Sequence, residues 1–157
     1  MNKSTLILGI GNILMGDEGV GVHVAKMLEK VNFPDNVRVL DGGTGGFHLL
    51  EYFDLHDRII MIDATLDGLP PGTVRQIKPR FALDFPPAMS THDIGLKDLV
   101  SALQLLGRMP EIDLLVVSIA SIQQQGIYLT EEVQHATAGV IAKIKEMVEN
   151  EMVVKLH

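Results

Sequence analysis

The chain has 157 residues, carries a formal charge of −7 and contains no cysteine. That length closes one hydrophobic core, so one domain over residues 1–157 is expected. The charge, with no Lys/Arg stripe, argues against nucleic acid and anionic lipid, and the missing thiols exclude disulfides, thiolate metal sites and cysteine nucleophiles.

Thr5 to Gly11 is continuously apolar and ends in glycine, the pattern of a central parallel strand covered on both faces. Asn12 interrupts the run and Asp17-Glu18 follow, so it reads as a strand and not as a signal peptide. Val20, Val24, Met27, Leu28 and Val31 then recur at helical spacing, with the two acids at the helix start where the dipole favours them. Val37 to Leu40 predicts a second strand leading into Asp41-Gly42-Gly43. Phe47, Leu49, Leu50 and Phe53 suggest a short helix, and Ile59 to Ile62 a third strand closed by Asp63.

Asp67 to Gly72 is a turn by composition, and Thr73 to Ile77 alternates weakly, as an edge strand does. A Pro-rich stretch leads to the loop Ser90-Thr91-His92-Asp93. Leu96, Leu99, Val100, Leu103 and Leu106 make an amphipathic helix ended by Gly107, Leu114 to Ile119 a last buried strand, and Val133, Val140, Ile144 and Met147 or Val148 a closing helix. Apolar strands alternating with amphipathic helices predict a three-layer α/β sandwich around a mostly parallel twisted sheet with one antiparallel edge strand. No run of eighteen apolar residues occurs, so no membrane span is expected.

In an open parallel sheet, the loops after the strands gather at one edge, where ligands bind. That rule selects Asp17, Glu18, Asp41, Asp63 and His92. Carboxylates and an imidazole from separate loops can hold a borderline divalent cation and leave positions open. The residues also have plainer readings. Asp17 and Glu18 can cap the first helix, Asp41 and Asp63 can end strands before turns, and a loop histidine is usually solvated. His23 is expected to pack and His48, His56, His135 and His157 to lie at the surface; Met15 and Met89 flank the site as gap fillers. No zinc-protease helix motif and no nucleophilic triad is present. A nucleotide-binding oxidoreductase is the rival reading of the glycine-rich loop, but Leu14 replaces the third glycine and Asp17-Glu18 would repel phosphate.

Gly9-Ile10-Gly11-Asn12-Ile13-Leu14, Gly16-Asp17-Glu18-Gly19-Val20-Gly21, Asp41-Gly42-Gly43-Thr44, Ile62-Asp63-Ala64 and Ser90-Thr91-His92 together resemble, in order and spacing, the nickel-iron hydrogenase maturation endopeptidases. The resemblance covers nearly all of the chain except Val153 to His157. It implies a cytoplasmic peptide hydrolase, monomeric, that removes a C-terminal extension from a nickel-containing hydrogenase large-subunit precursor after nickel insertion. By that resemblance Glu18, Asp63 and His92 are the catalytic and metal-contacting positions, with Glu18 standing where some members carry Asp. It further implies that the nickel is presented by the substrate. The free enzyme is then expected to hold no tightly bound cofactor, or only an adventitious divalent metal. Asp17 stays with the helix cap, Asp41 stays open between turn and site, and a nickel-binding chaperone or docking module without peptidase activity is the alternative.

Overall fold

The computed structural model describes residues 3–44, 47–86, 89, 96–120 and 125–156. Five strands form one sheet in the order β2-β1-β3-β5-β4: β1 (Thr5–Gly9), β2 (Val37–Asp41), β3 (Arg58–Thr65), β4 (Val74–Ile77) and β5 (Glu111–Ser118). All neighbouring pairs are parallel except β4 with β5, the predicted antiparallel edge. The helices are α1 (Val20–Leu28), α2 (Leu50–Leu55), α3 (Leu96–Leu105) and α4 (Glu131–Leu156).

Alternation along the strands divides the core into two layers. Leu6, Leu8, Ile59, Met61, Leu114 and Val116 face α2 and α3, where Leu49, Phe53, Leu99, Val100 and Leu103 cover them. Ile7, Ile60, Ile62, Leu115 and Val117 face α1 and α4, meeting Val20, Val24, Leu28, Val133, Val140 and Ile144. The chain leaves β1 on one side to form β2 and returns on the other to form β3, so the order reverses between β1 and β3. Their carboxyl ends open the crevice where such sheets bind ligands.

Several boundaries differ from the sequence reading. β1 stops at Gly9 because Gly11, at φ 146°, turns the chain out of the strand. β3 runs through Asp63 to Thr65, so Asp63 does not close the strand but lies inside it. α4 continues past Val148 to Leu156, and a 3-10 turn at Ala82–Asp84 occupies the Pro-rich stretch. The second helix begins as a 3-10 turn at Phe47–Leu49.

The amino-terminal edge of the sheet is held by charge. Asp113 of β5 is fully buried; its Oδ2 accepts from Arg58 Nε at 3.0 Å and Nη2 at 2.8 Å, and its Oδ1 from Gln76 at 3.2 Å. Arg58 also donates to Glu151 of α4 at 3.2 Å, and Glu151 accepts from Thr5 at 3.3 Å. Burial alone would lower the Arg58 pKa, but Asp113 and then Glu151 outweigh it and hold it above its ordinary value. One network thus joins β1, β3, β4, β5 and α4. Asp113→Ala should lower unfolding free energy in a urea titration by about 3 kcal/mol, since it leaves a largely buried guanidinium with Glu151 as its remaining carboxylate.

A second acid closes the turn between β3 and β4. Asp67 accepts from Leu69 N–H at 3.1 Å, Ser118 Oγ at 3.0 Å and Arg75 Nη2 at 2.9 Å. Burial pushes its pKa up, yet these three donors together bring it below the ordinary 3.8. A depressed carboxylate stabilises the fold fully above its unfolded pKa and loses that contribution as pH falls through the folded one. Asp67→Asn should therefore be less stable than the unsubstituted chain at neutral pH, with the gap closing as the medium is acidified below pH 3.8. Melts across an acid series measure it.

Candidate active site

The site grows from glycines that let a helix lie directly on strand backbone. A Cβ on Gly21, in the first turn of α1, would strike the carbonyl oxygens of Ile62 and Ile10; one on Gly9 would strike the carbonyl oxygen of Gly21. Glycine is required at both, because the helix start and the ends of β1 and β3 touch main chain to main chain. Ile10 N–H donates to Ile62 O at 3.0 Å, and Gly11 N–H to Gly43 O at 2.7 Å, tying the loop after β1 to β3 and to the loop after β2. No phosphate cradle is needed to explain these glycines.

Between β1 and α1 lies a 3-10 turn, Gly16–Gly19, which packs against β3. It carries both acids of the loop. Glu18 is half-buried. Asp17 is 1% exposed, and it does not cap the first helix as the sequence suggested. Its Oδ1 accepts from Thr130 N–H and its Oδ2 from Thr130 Oγ1, each at 2.8 Å, so it anchors the residue just before α4. Thr130 was missed in the sequence, although Thr-Glu-Glu before an apolar-periodic run is a helix-start signal.

Asp63 is fully buried on β3, one residue past the Ile62 carbonyl that Gly21 approaches. Its Oδ1 accepts from Ala64 N–H at 2.8 Å, and it makes a further interaction. Thr65, two residues on and likewise fully buried, pairs with Met89 in an antiparallel bridge, and its hydroxyl has no hydrogen-bond partner among the described residues. Met89 is 3% exposed within the core, as a gap filler would be. His92 falls three positions after Met89 and outside the described residues. Asp41 ends β2, exposed, with Oδ1 accepting from Gly43 N–H at 2.9 Å. That is the turn chemistry considered for it.

The structure therefore brings the elements of Glu18 and Asp63 together at the β1/β3 switch point. Among the described residues no three His, Asp or Glu gather as a metal site. His23 of α1, expected to pack, is half-buried, and its Nε2 has no hydrogen-bond partner among the described residues. Burial and then the Lys26 charge lower its pKa, against the opposing pull of the Ile127 backbone and Asp17. His56, expected at the surface, is half-buried and its Nδ1 meets Tyr52 O at 2.7 Å.

Fold and site together define a doubly wound α/β domain with acidic side chains at its topological switch point. Residues 22–147 match the family model described as hydrogenase maturation protease. The hydrogenase 2 maturation protease of Escherichia coli is 36% identical over 148 residues, 90% of either chain. The solved hydrogenase-maturating endopeptidase HybD of E. coli superposes with TM-score 0.82 and 32% identity over 96% of this chain and 93% of that one. The hydrogenase expression/formation protein HupD of Bradyrhizobium diazoefficiens is 44% identical over 111 residues, 68% of this chain. The match spans 57% of that relative's length, and about half of several other relatives. This chain belongs to the hydrogenase maturation protease family.

The anchoring role of Asp17 can be measured. A buried charge-assisted pair of hydrogen bonds contributes about 2 kcal/mol, so Asp17→Asn and Thr130→Ala should each destabilise the protein. The double variant should lose less than the sum, because both single changes act on the shared Oγ1–Oδ2 bond, the backbone bond surviving Thr130→Ala. Additive losses would show that the two residues act independently.

Proposed function

We propose that this chain is an endopeptidase that removes the C-terminal extension of a nickel-iron hydrogenase large-subunit precursor after nickel insertion, with Glu18, Asp63 and His92 engaging nickel that the precursor presents. The observation that carries the reading is the convergence of the Glu18 turn and the Asp63 strand at the switch point, through the Gly21–Ile62 contact. Family membership supports the reaction class.

Carboxylate and imidazole donors suit a borderline divalent ion, and three of them leave coordination positions for the substrate's own ligands. Such a set binds moderately, as a reader of a metal owned by another protein should. The metal then reports that insertion is complete, and it brings the scissile segment to these side chains. We further propose that the enzyme acts as a monomer in the cytoplasm and needs no cofactor of its own, any metal carried in isolation being adventitious. Sedimentation of the purified chain tests the first of these.

Precursor made under nickel-replete and nickel-depleted conditions, mixed with the enzyme and followed by C-terminal mass, tests the central claim. Trimming should be confined to the nickel-loaded precursor. Equal cleavage of both forms would remove nickel as the token, and binding without any cleavage would leave a docking module. Glu18→Gln, Asp63→Asn and His92→Ala should each reduce trimming by at least about a hundredfold if the residue contacts the reacting assembly. Glu18→Gln, on a half-buried side chain, should leave the melting temperature nearly unchanged, whereas Asp63→Asn alters a fully buried strand residue and should lower it somewhat.

A further inference from the structure

The glycine-rich loop does not stand alone at the crevice. Gly16 N–H donates to Gly126 O at 2.8 Å and Gly126 N–H to Leu14 O at 2.7 Å, a parallel bridge that lays the segment before α4 along the loop before Glu18. Two further bonds fix the loop internally, Leu14 N–H to Asn12 Oδ1 and Met15 N–H to Asn12 O, both at 3.0 Å. The Asp17–Thr130 pair fastens the far end. These two segments carry Leu14 at 61% exposure, Ile127 at 51% and Tyr128 at 82%.

A single exposed Leu is ordinary on any protein surface. Here three large apolar side chains flank one hydrogen-bonded bridge, four residues or fewer from Glu18 on one side and within four of Thr130 on the other. The backbone beneath them is already ordered, so binding to them would not have to immobilise two free loops.

We propose that Leu14, Ile127 and Tyr128 form the apolar rim of the cleft, which grips apolar side chains of the precursor polypeptide beside the bond to be cut. The inference rests on the functional reading given above. Continuity with the Glu18 turn favours the substrate chain as occupant. Charge favours it over a second copy: a two-fold contact through this rim would bring together two proteins of charge −7, each with the Glu18 turn at the contact. A precursor segment that is apolar and neutral or basic meets no such repulsion. Orientation by the rim and engagement by Glu18 and Asp63 are then separate tasks, the first expressed in substrate affinity and the second in turnover.

The test compares the full chain with a Leu14→Ser/Ile127→Ser/Tyr128→Ser variant and with Tyr128→Ser alone, using nickel-loaded precursor. KM for trimming, and Kd for precursor binding measured without cleavage, should rise roughly tenfold or more in the triple variant, as loss of one or two buried apolar side chains would give. The rise should be smaller in Tyr128→Ser, with kcat within about twofold and melting temperature unchanged in both. Unchanged KM and Kd overturn the proposal, as does a fall in kcat alone. A wild-type dimer that the triple variant dissolves, with precursor affinity untouched, would make the rim a self-association face and overturn it too. Tyr128→Ser changes a side chain so exposed that misfolding cannot mask the outcome. If the unsubstituted chain binds precursor without cutting it, the peptidase reading fails while Kd still judges the rim; if it neither binds nor cuts, both fall.

Discussion

The whole arrangement depends on one steric constraint: the start of α1 lies against the ends of β1 and β3 with no side chain between them. Gly21 abuts the carbonyls of Ile10 and Ile62, and Gly9 abuts that of Gly21. Any Cβ there would lift the helix off the sheet by more than an ångström-scale adjustment can absorb in a close-packed interior. Lifting the helix would carry the Gly16–Gly19 turn away from β3, and Glu18 with it. Glycine at these two positions costs conformational entropy, which the burial of Val20, Val24 and Leu28 along α1 offsets.

The charge network and the candidate site sit at opposite ends of the same strand. Arg58 opens β3 and is held by Asp113 and Glu151, while Asp63 lies five residues on, about 16 Å along the strand. Both are polar groups withdrawn from water, and both need partners there. At the amino-terminal edge the partners are complementary charges, so the group is spent on structure. At the carboxyl edge an acid sits beside a crevice that the reversal of strand order opens. Among the described residues no helix is long and apolar enough to cross a membrane.

The alternation of apolar runs and amphipathic stretches made the sheet, its antiparallel edge and the helices legible, because burial imposes distinct periods on strand and helix. The same topology singled out the acids near the strand ends as candidates. What could not be read were partnerships between distant positions. Asp17 resembled a helix cap because its neighbours were visible and Thr130, 113 positions away, was not. Arg58 and Asp113 escaped notice because the apolar runs that marked β3 and β5 began after them, at Ile59 and Leu114. Asp63 looked like a strand terminator since polarity usually signals a turn; here it marks a buried polar position within the strand. His92 lies outside the described residues, so its place in the group rests on the loop topology and the family resemblance.

The pairing of Asp17 with Glu18 shows how neighbouring acids come to hold different duties. They occupy one 3-10 turn. With 3.0 residues per turn, successive side chains diverge by about 120°, so the two carboxylates cannot share an environment. Asp17 points into the protein, where Thr130 satisfies both of its oxygens. Glu18, one step round the turn, remains half-exposed at the crevice. The buried acid fixes the turn against the segment before α4. An acid carried on a backbone that is already fixed has only its side chain left to order on binding any partner. The same four-residue turn thus separates in space a buried anchor, Asp17, from a half-exposed acid, Glu18.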